Sequence, residues 1–337
     1  AASDVYKRQD LTITVQFIKR GCLQYPARAA CGQIESIDIG IEVPSERNYF
    51  LLDDTSVPPL ANRALDSHKG DFGRVLIIGG SSPMPGAPYL ASLSALRAGA
   101  GLVVKTALRG QSKIHSCPES LLHILGDSED HIYSESMLSA LEEQLEQASA
   151  VVIGPGIGTD PLSAPFVFGI IEFCNKHSKP IVIDADALNL IASHGKKLLP
   201  QLNNSVLTPH PGEMARLLGL SSQEVQSNRF KAVSSLADLT PAVIVLKGAG
   251  SLVFQAGRGA VCSTGNPFMA TPGSGDVLSG ILGALLAFSK LSVFDSTCQG
   301  VYLHGLAGDL AAGSVSSPLL AREIAHALKS AVAEILA

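Results

Sequence analysis

Tryptophan is absent from this chain of 337 residues, and aromatic side chains make up only 5% of it. A β-sandwich cored by large rings is therefore disfavoured. The 32 glycines point instead to tight turns and small-residue packing, as in α/β enzymes. Basic residues never run together for more than a few positions and the formal net charge is −5. Broad polyanion binding is thereby disfavoured, no nucleic-acid partner is expected, and a local anion pocket stays open. Long apolar runs are also missing. The stretch 281–288 is among the longest, well short of the ~18 residues that span a membrane. The opening A-A-S-D-V-Y-K-R-Q has charges and no apolar core, so it does not read as a signal peptide. Cys22, Cys31, Cys117, Cys174, Cys262 and Cys298 form no C-x-x-C pair, which disfavours both a zinc site and a disulfide scaffold. A soluble cytoplasmic protein with free thiols is expected.

Hydrophobic residues make up 46% of the chain and charged ones 16%, so a large core can form and disorder is excluded. At ~100–200 residues per domain, the length fits two domains, or one large domain with an attachment. Residues 11–18 alternate apolar with polar through Leu11, Ile13, Val15 and Phe17, and 37–43 do so through Ile37, Ile39, Ile41 and Val43. Period two predicts two half-buried strands. Two strands cannot bury a core. They either pair with the main body or are the tail of a missing domain. Residues 44–73, with Pro44, Pro58, Pro59, Gly70 and Gly73, read as a linker.

From Arg74 onward strands, glycine turns and helices alternate. Strands are expected at 75–78, 102–106, 150–153, 180–184, 205–207 and 242–246, and a hairpin at 251–254 and 260–263. Helices are expected at 88–98, 135–147, 163–176, 211–218, 222–238, 275–288, 294–312 and 318–336. Such alternation implies a doubly wound, mostly parallel sheet with helices on both faces. Ligands of such sheets bind beyond the carboxyl ends of the strands.

The loops there carry the chemistry. Gly273-Ser274-Gly275 precedes an apolar helix, so three successive N–H groups and a helix N-terminus can form an anion hole. Asp276 lies in the first helical turn. It either takes a proton from a hydroxyl attacking a phosphoryl group or merely complements the helix dipole. No G-x-x-x-x-G-K-[ST] is present, and Gly154-Pro155-Gly156-Ile157-Gly158 lacks the G-x-G-x-x-G dinucleotide spacing. That loop is a plain tight turn or a close approach to a ligand. His210, held between Pro209 and Pro211, is a ligand contact or an ordinary loop histidine. Glu213 either helps to hold a hydrated metal near phosphates or is a first-turn acid. Asp184 and Asp186 end a strand, Asp186 reading as a helix N-cap. Lys247-Gly248-Ala249-Gly250-Ser251 is a nucleotide loop or a hairpin turn. His304 reads as a packed mid-helix histidine.

Seven blocks, in order, resemble one family: H-K-G-D-F-G-R-V-L-I-I-G-G-S (68–81), A-L-R-A-G-A-G-L-V (95–103), V-I-G-P-G-I-G (152–158), D-A-D-A-L-N (184–189), L-T-P-H-P-G-E (207–213), L-K-G-A-G-S (246–251) and P-G-S-G-D-V-L-S-G (272–280). They are similar to the NAD(P)H-hydrate dehydratases of ribokinase-like fold, from about residue 48 to the C-terminus. The resemblance implies a repair lyase. It phosphorylates the ring hydroxyl of the S form of hydrated NADH or NADPH with a nucleotide, then eliminates phosphate to restore the dihydropyridine. Carried over by position, Asp276 is the base and contacts the hydrate, and Ala87, Gly158 and His210 line the hydrate site. Lys247, Gly248, Ala249, Gly250, Ser251 and Gly275 hold the adenine nucleotide. Mg2+ rides on the phosphates, with Glu213 organising it through water. Bacterial-type members use ADP, so ADP is preferred to ATP as the donor. A homo-oligomer, a tetramer, is expected.

Residues 10–43 resemble the last strands of the NAD(P)H-hydrate epimerase domain, through T-V-Q-F-I-K-R-G at 14–21 and I-D-I-G-I at 37–41. Residues 1–44 are thus expected to be an epimerase remnant, its first nine residues a scar, without epimerase activity. Residues 45–337 are expected to form the dehydratase domain. The alternatives are a small-alcohol kinase of the same fold, acting on hydroxyethylthiazole or a sugar, and a nucleotide-binding module without catalysis. The order of H-P-G-E and G-P-G-I-G favours the dehydratase over the first, and the intact Asp276 with its glycines over the second.

Overall fold

The computed structural model describes residues 8–42, 49–60, 62–81, 83–109, 117–127, 130–313 and 317–336. The chain divides into two compact units, residues 1–50 and 51–337. The expected boundary between residues 44 and 45, like Val43 and Pro44, lies outside the described residues.

In the first unit, β1 (Leu11–Val15), α1 (Arg20–Leu23), α2 (Arg28–Cys31) and β2 (Gln33–Ile37) follow in order. The two strands pair in parallel, Leu11 opposite Gln33 and Val15 opposite Ile37. The second strand thus lies earlier than the alternation of Ile37, Ile39 and Ile41 predicts. Parallel register with β1 selects Q-I-E-S-I instead, and Ile39 and Ile41 are exposed. Thr14 is buried, while Leu11, Ile13 and Val15 face outward. The apolar side of this small sheet is therefore its open side.

The stretch read as a linker contains a strand, β3 (Tyr49–Leu52). Leu52 is fully buried, and its carbonyl accepts from both the N–H and the hydroxyl of Ser263. Further on, Gln299 Nε2 donates to the Pro58 carbonyl at 2.8 Å. The alternation expected beyond Arg74 is present as β4 (Arg74–Ile78), α3 (Gly86–Ala98), β5 (Leu102–Leu108), β6 (Leu121–Leu125), α4 (Leu138–Gln147), β7 (Ala150–Ile153), α5 (Ala164–Lys176) and β8 (Ile181–Ile183). It continues through α6 (Ala185–Leu190), β9 (Ser205–Leu207), α7 (Pro211–Leu218), α8 (Ser222–Ser227), α9 (Arg229–Ala237) and β10 (Val243–Leu246). The hairpin β11 (Leu252–Gln255) and β12 (Arg258–Cys262) precedes α10 (Ser274–Phe288), α11 (Val293–Ala312) and α12 (Ala321–Leu336). β6 was not foreseen. The helix expected over 222–238 is two, broken at Asn228, whose side chain caps the second.

The sheet has ten strands in the order β3-β12-β11-β10-β9-β8-β7-β4-β5-β6, parallel from β10 through β6 and antiparallel across β10, β11 and β12. Its central strands are buried on both faces, which is why they read as unbroken V-L-I-I, A-V-V-I and V-I-V-L runs. Helix α10 is apolar almost all round and buried accordingly. It lies so close to α3 that a side chain at Gly280 would meet the Ala91 carbonyl at 2.1 Å. Strands run outward from β4 through β5 to β6, whereas β7 returns to its other side. The switch point of the fold is therefore the crevice beyond the ends of β4 and β7.

Candidate active site

Strands β8, β9 and β10 end side by side, and each delivers a charged residue to one cluster. Asp184, next after β8, is 1% exposed. Lys247, next after β10, places Nζ 2.7 Å from Asp184 Oδ1 and 3.7 Å from Glu213 Oε2. Ser279 Oγ, from α10, donates to Asp184 Oδ2 at 2.6 Å. Burial alone would raise the Asp184 pKa, but Lys247, Ser279 and Thr208 together hold it below its ordinary value. Desolvation likewise works against the Lys247 ammonium, yet Asp184 and Glu213 keep its pKa raised. Both groups are ionised at neutral pH. A side chain at Gly275 would stand 3.3 Å from Lys247 Nζ. The bare Gly275 thus lets the turn before α10 rest on the ion pair.

That turn has Gly273 at φ +90, a left-handed conformation that favours glycine. Its Ser274 N–H donates to the Thr271 carbonyl at 3.3 Å. The first-turn N–H groups of Gly275 and Asp276 have no acceptor within the helix and form the donor end of the turn. Ser274 Oγ lies 3.3 Å from His304 Nε2. Burial pushes the His304 pKa down to about 4, so the ring is neutral. The histidine read as mere packing is thus tied to this turn. Asp309, also on α11, accepts from the Gly265 N–H and Asn266 Nδ2 and anchors the approach to the turn.

Asp276 is half-buried in the first turn of α10. Burial and the negative charge of Asp184 push its carboxyl up to about 7, against a lowering by Lys247, with Asp186 and Glu213 adding to the rise. A carboxyl with that pKa is poised to exchange a proton near neutrality.

His210 is the N-cap of α7. Its Nδ1 accepts from the N–H groups of Gly212 and Glu213, and its own N–H donates to Glu213 Oε2 at 2.7 Å. Glu213 is thus a capping acid, and it is also buried within reach of Lys247. Burial and the positive charge of Lys247 lower the His210 pKa. The segment Gly248 to Ser251 turns between β10 and β11, Ser251 Oγ donating to the Gly248 carbonyl. Beneath it Arg229 Nη2 donates to the Leu246 carbonyl and Nη1 to that of Lys247.

Ala87, in the first turn of α3, and Gly158, after β7, belong to the switch point. The Gly80 N–H donates to the Pro155 carbonyl and the Ser81 N–H to that of Gly156, which zips the loop after β4 to the loop after β7. The glycines there are required: a side chain at Gly156 would stand 2.8 Å from Met84 Cβ and 3.2 Å from Ala87 Cβ. Asp186, expected to be an N-cap, is instead in the first turn of α6, which Asp184 precedes. Its Oδ2 accepts the Gly158 N–H at 2.9 Å. One strand-end sequence, D-A-D, therefore serves both places.

Asp184 and Ser279 are the members of the cluster to which sequence reasoning gave no role. Asp184 was visible only as a strand-end acid. Ser279 had a signal in helical spacing, since it falls three residues after Asp276 on the same face.

No three His, Cys, Asp or Glu side chains form a metal cage among the described residues, and no helix there is long and apolar enough to cross a membrane. All six cysteines are free.

A family model described as NAD(P)H-hydrate dehydratase matches residues 75–330. The bifunctional NAD(P)H-hydrate repair enzyme of Coxiella burnetii is 39% identical over 313 residues, covering 90% of this chain and 60% of that protein. The chain thus spans about 60% of the length of such bifunctional relatives. An ADP-dependent (S)-NAD(P)H-hydrate dehydratase of Neisseria meningitidis is 38% identical over 276 residues, covering 79% of this chain and 87% of its own. Among solved structures, the ADP/ATP-dependent NAD(P)H-hydrate dehydratase of Bacillus subtilis, co-crystallised with ATP and Mg2+, aligns with a TM-score of 0.69. Its identity is 27%, with 85% of this chain and 98% of that one covered. The ribokinase-like architecture expected from the seven blocks is shared with such structures.

Proposed function

The chain belongs to the NAD(P)H-hydrate dehydratase family, and from that premise we propose that it dehydrates the S form of NADH hydrate and NADPH hydrate, with ADP as phosphoryl donor. The observation that carries the reading is the Asp276 carboxyl, held near neutral pKa in the first turn of α10, beside the buried Lys247–Asp184 pair.

Hydroxide is a poor leaving group and phosphate a good one, so the ring hydroxyl is first phosphorylated. Asp276 accepts the hydroxyl proton as the oxygen attacks the terminal phosphoryl group of the nucleotide. The N–H groups of Gly275 and Asp276 and the positive end of α10 face the group in transfer; of the anion hole expected from Gly273, Ser274 and Gly275, the Ser274 N–H is instead turned to the Thr271 carbonyl. Lys247 adds a fixed positive charge beneath Gly275, and Gly248, Ala249, Gly250 and Ser251 hold the adenine nucleotide. Ala87, Gly158 and His210 line the hydrate site. Departure of phosphate from C6, with loss of a proton from C5, restores the ring double bond.

The donor set fits magnesium carried on phosphates rather than caged by protein. Glu213 is a hard oxygen donor, but Oε2 is engaged by the His210 N–H and Oε1 lies 3.3 Å from His210 Nε2. It would hold the ion through water, and the ion would neutralise phosphate charge.

Residues 1–44 we assign to the epimerase remnant and 45–337 to the dehydratase domain. We also propose that the protein works in the cytoplasm as a homo-oligomer, a tetramer. The outermost strand β6, which exposes Leu121, Leu122 and Ile124, supports association.

Incubation with hydrated NADH and either ADP or ATP tests the function through the return of dihydronicotinamide absorbance. Turnover with ADP faster than with ATP is expected at saturating nucleotide. A clear ATP preference overturns the choice of donor, and turnover with neither overturns the reading. The pH profile follows from Asp276. As a base it must be ionised, so kcat/KM is expected to fall about tenfold per pH unit below about 7 and to level above it. A profile flat from pH 5 to 9 contradicts that assignment.

A further inference from the structure

The hydroxyl of Ser81 is a buried polar group that the mechanism above does not use. Ser81 follows Gly79-Gly80 after β4 and is 5% exposed. Its backbone is satisfied: the N–H donates to the Gly156 carbonyl at 2.6 Å, and its carbonyl accepts from Met84 at 2.9 Å. Its Oγ has no hydrogen-bond partner among the described residues. A buried hydroxyl without a partner is costly, so one that stands at a binding crevice calls for a ligand group to complete it.

Its neighbours locate that group. A side chain built on Gly158 would lie 3.8 Å from Ser81 Oγ and 3.9 Å from Ser81 Cβ, with no other described atom within 4 Å. Gly158 therefore opens onto space that Ser81 walls. Ala87, in the first turn of α3, packs against Gly156, two residues before Gly158. One turn on, Leu90 touches Gly273, since a side chain there would stand 2.4 Å from Leu90 Cδ1. The loop of Gly156 and Gly158, against which Ala87 packs, and the turn that carries Asp276, against which Leu90 packs, thus both rest on the first turns of α3. The charged group beside the wall is Asp186, bound to the Gly158 N–H. An anionic ligand group is unwelcome next to it, and a neutral one that both donates and accepts matches a hydroxyl.

We propose that Ser81 is a substrate-binding residue whose hydroxyl oxygen accepts from the carboxamide N–H of the nicotinamide ring, while the ring hydroxyl faces Asp276. This rests on the dehydratase reading. The carboxamide is present in both the hydrate and the NADH produced from it, which gives a readout independent of turnover.

The test uses the full chain and Ser81→Ala. For hydrated NADH, KM is expected to rise five- to tenfold, the loss of one neutral hydrogen bond, with kcat and the KM for ADP changed less than twofold. The Kd for NADH, followed by its fluorescence, rises by the same factor. The ligand-free variant melts no lower than the wild type, because it loses an unpaired polar group rather than a bond. The reduced acetylpyridine analogue of NADH lacks the amide N–H. It should bind the wild type more weakly than NADH does and should bind the variant about as NADH does, and the wild-type comparison stands even if the variant fails to fold. A hydrate KM and an NADH Kd both within twofold of wild type, or equal wild-type affinity for NADH and the analogue, overturn the assignment. Absence of wild-type turnover with either nucleotide overturns the dehydratase reading instead, and the NADH titration still judges Ser81.

Discussion

Asp276→Asn is expected to lower kcat on hydrated NADH by about 10²–10⁴-fold and at the same time to raise the melting temperature at pH 8. The first effect is the loss of a general base, since asparagine keeps the size of the side chain and the start of α10 but accepts no proton. A helix-dipole partner alone would cost ~0.3–1 kcal/mol of stability and leave the rate nearly intact. The second effect comes from linkage. In the folded chain the carboxyl is pushed to about 7, above its ordinary 3.8. Between those values the native state retains a proton that the unfolded chain has released, so stability falls as pH rises from about 4 to about 7. Asparagine has no proton to lose and escapes that fall. The variant should therefore melt above the wild type at pH 8 and alongside it below pH 4. Measurement of kcat together with melting curves at both pH values decides the matter. A variant that keeps more than about a tenth of the rate removes Asp276 from the chemistry.

Lys247→Met should be among the most destabilising single changes in the protein, at about 3–5 kcal/mol, because it leaves the Asp184 carboxylate buried without its cation. Withdrawal of the ammonium also removes the main influence that lowers the Asp276 pKa, so the acid limb of any residual activity moves to higher pH. The double variant Asp184→Asn/Lys247→Met separates the two roles of the lysine. With neither charge buried, most of the lost stability should return, whereas the rate should not, since the charge beneath Gly275 is still missing. Denaturant melts of both single variants and the double variant give the coupling directly. Additive losses would show that the pair at 2.7 Å is not an energetic unit.

The sequence revealed strands and helices best where burial was extreme. V-L-I-I and A-V-V-I are legible because both faces of those strands are covered. β6 was not, since L-L-H-I-L is an outermost strand with three exposed apolar residues and shows neither clean alternation nor full burial. The alternation of Ile37, Ile39 and Ile41 is real, yet backbone pairing with β1 ends at Ile37. Asn228 breaks a helical pattern that side-chain periodicity alone carries through, because its backbone leaves the helical region at φ −149. In the site, the local units were readable: the glycine turn before α10, the acid in its first turn and H-P-G-E at the start of α7. The pairing of Asp184 with Lys247, 63 positions away, was not. It exists because β8, β9 and β10 lie side by side, and strand order is decided by the whole sheet.

That dependence on distant parts governs when the protein can first work as it leaves the ribosome. Leu52 waits for Ser263, 211 positions later, and Pro58 waits for Gln299, 241 positions later. Asp184 stands without its Ser279 hydroxyl until 95 further residues have been made. Long-range closures of this kind slow folding because chain entropy is lost before the contacts that reward it can form. A nascent chain that has emerged only as far as the turn after β10 already holds Asp184, Glu213 and Lys247, three charges destined for one buried place, but neither the serine nor the helix that covers them. Ordering of the charged cluster is therefore a late event in biogenesis, completed only once α10 has been made and packs over it.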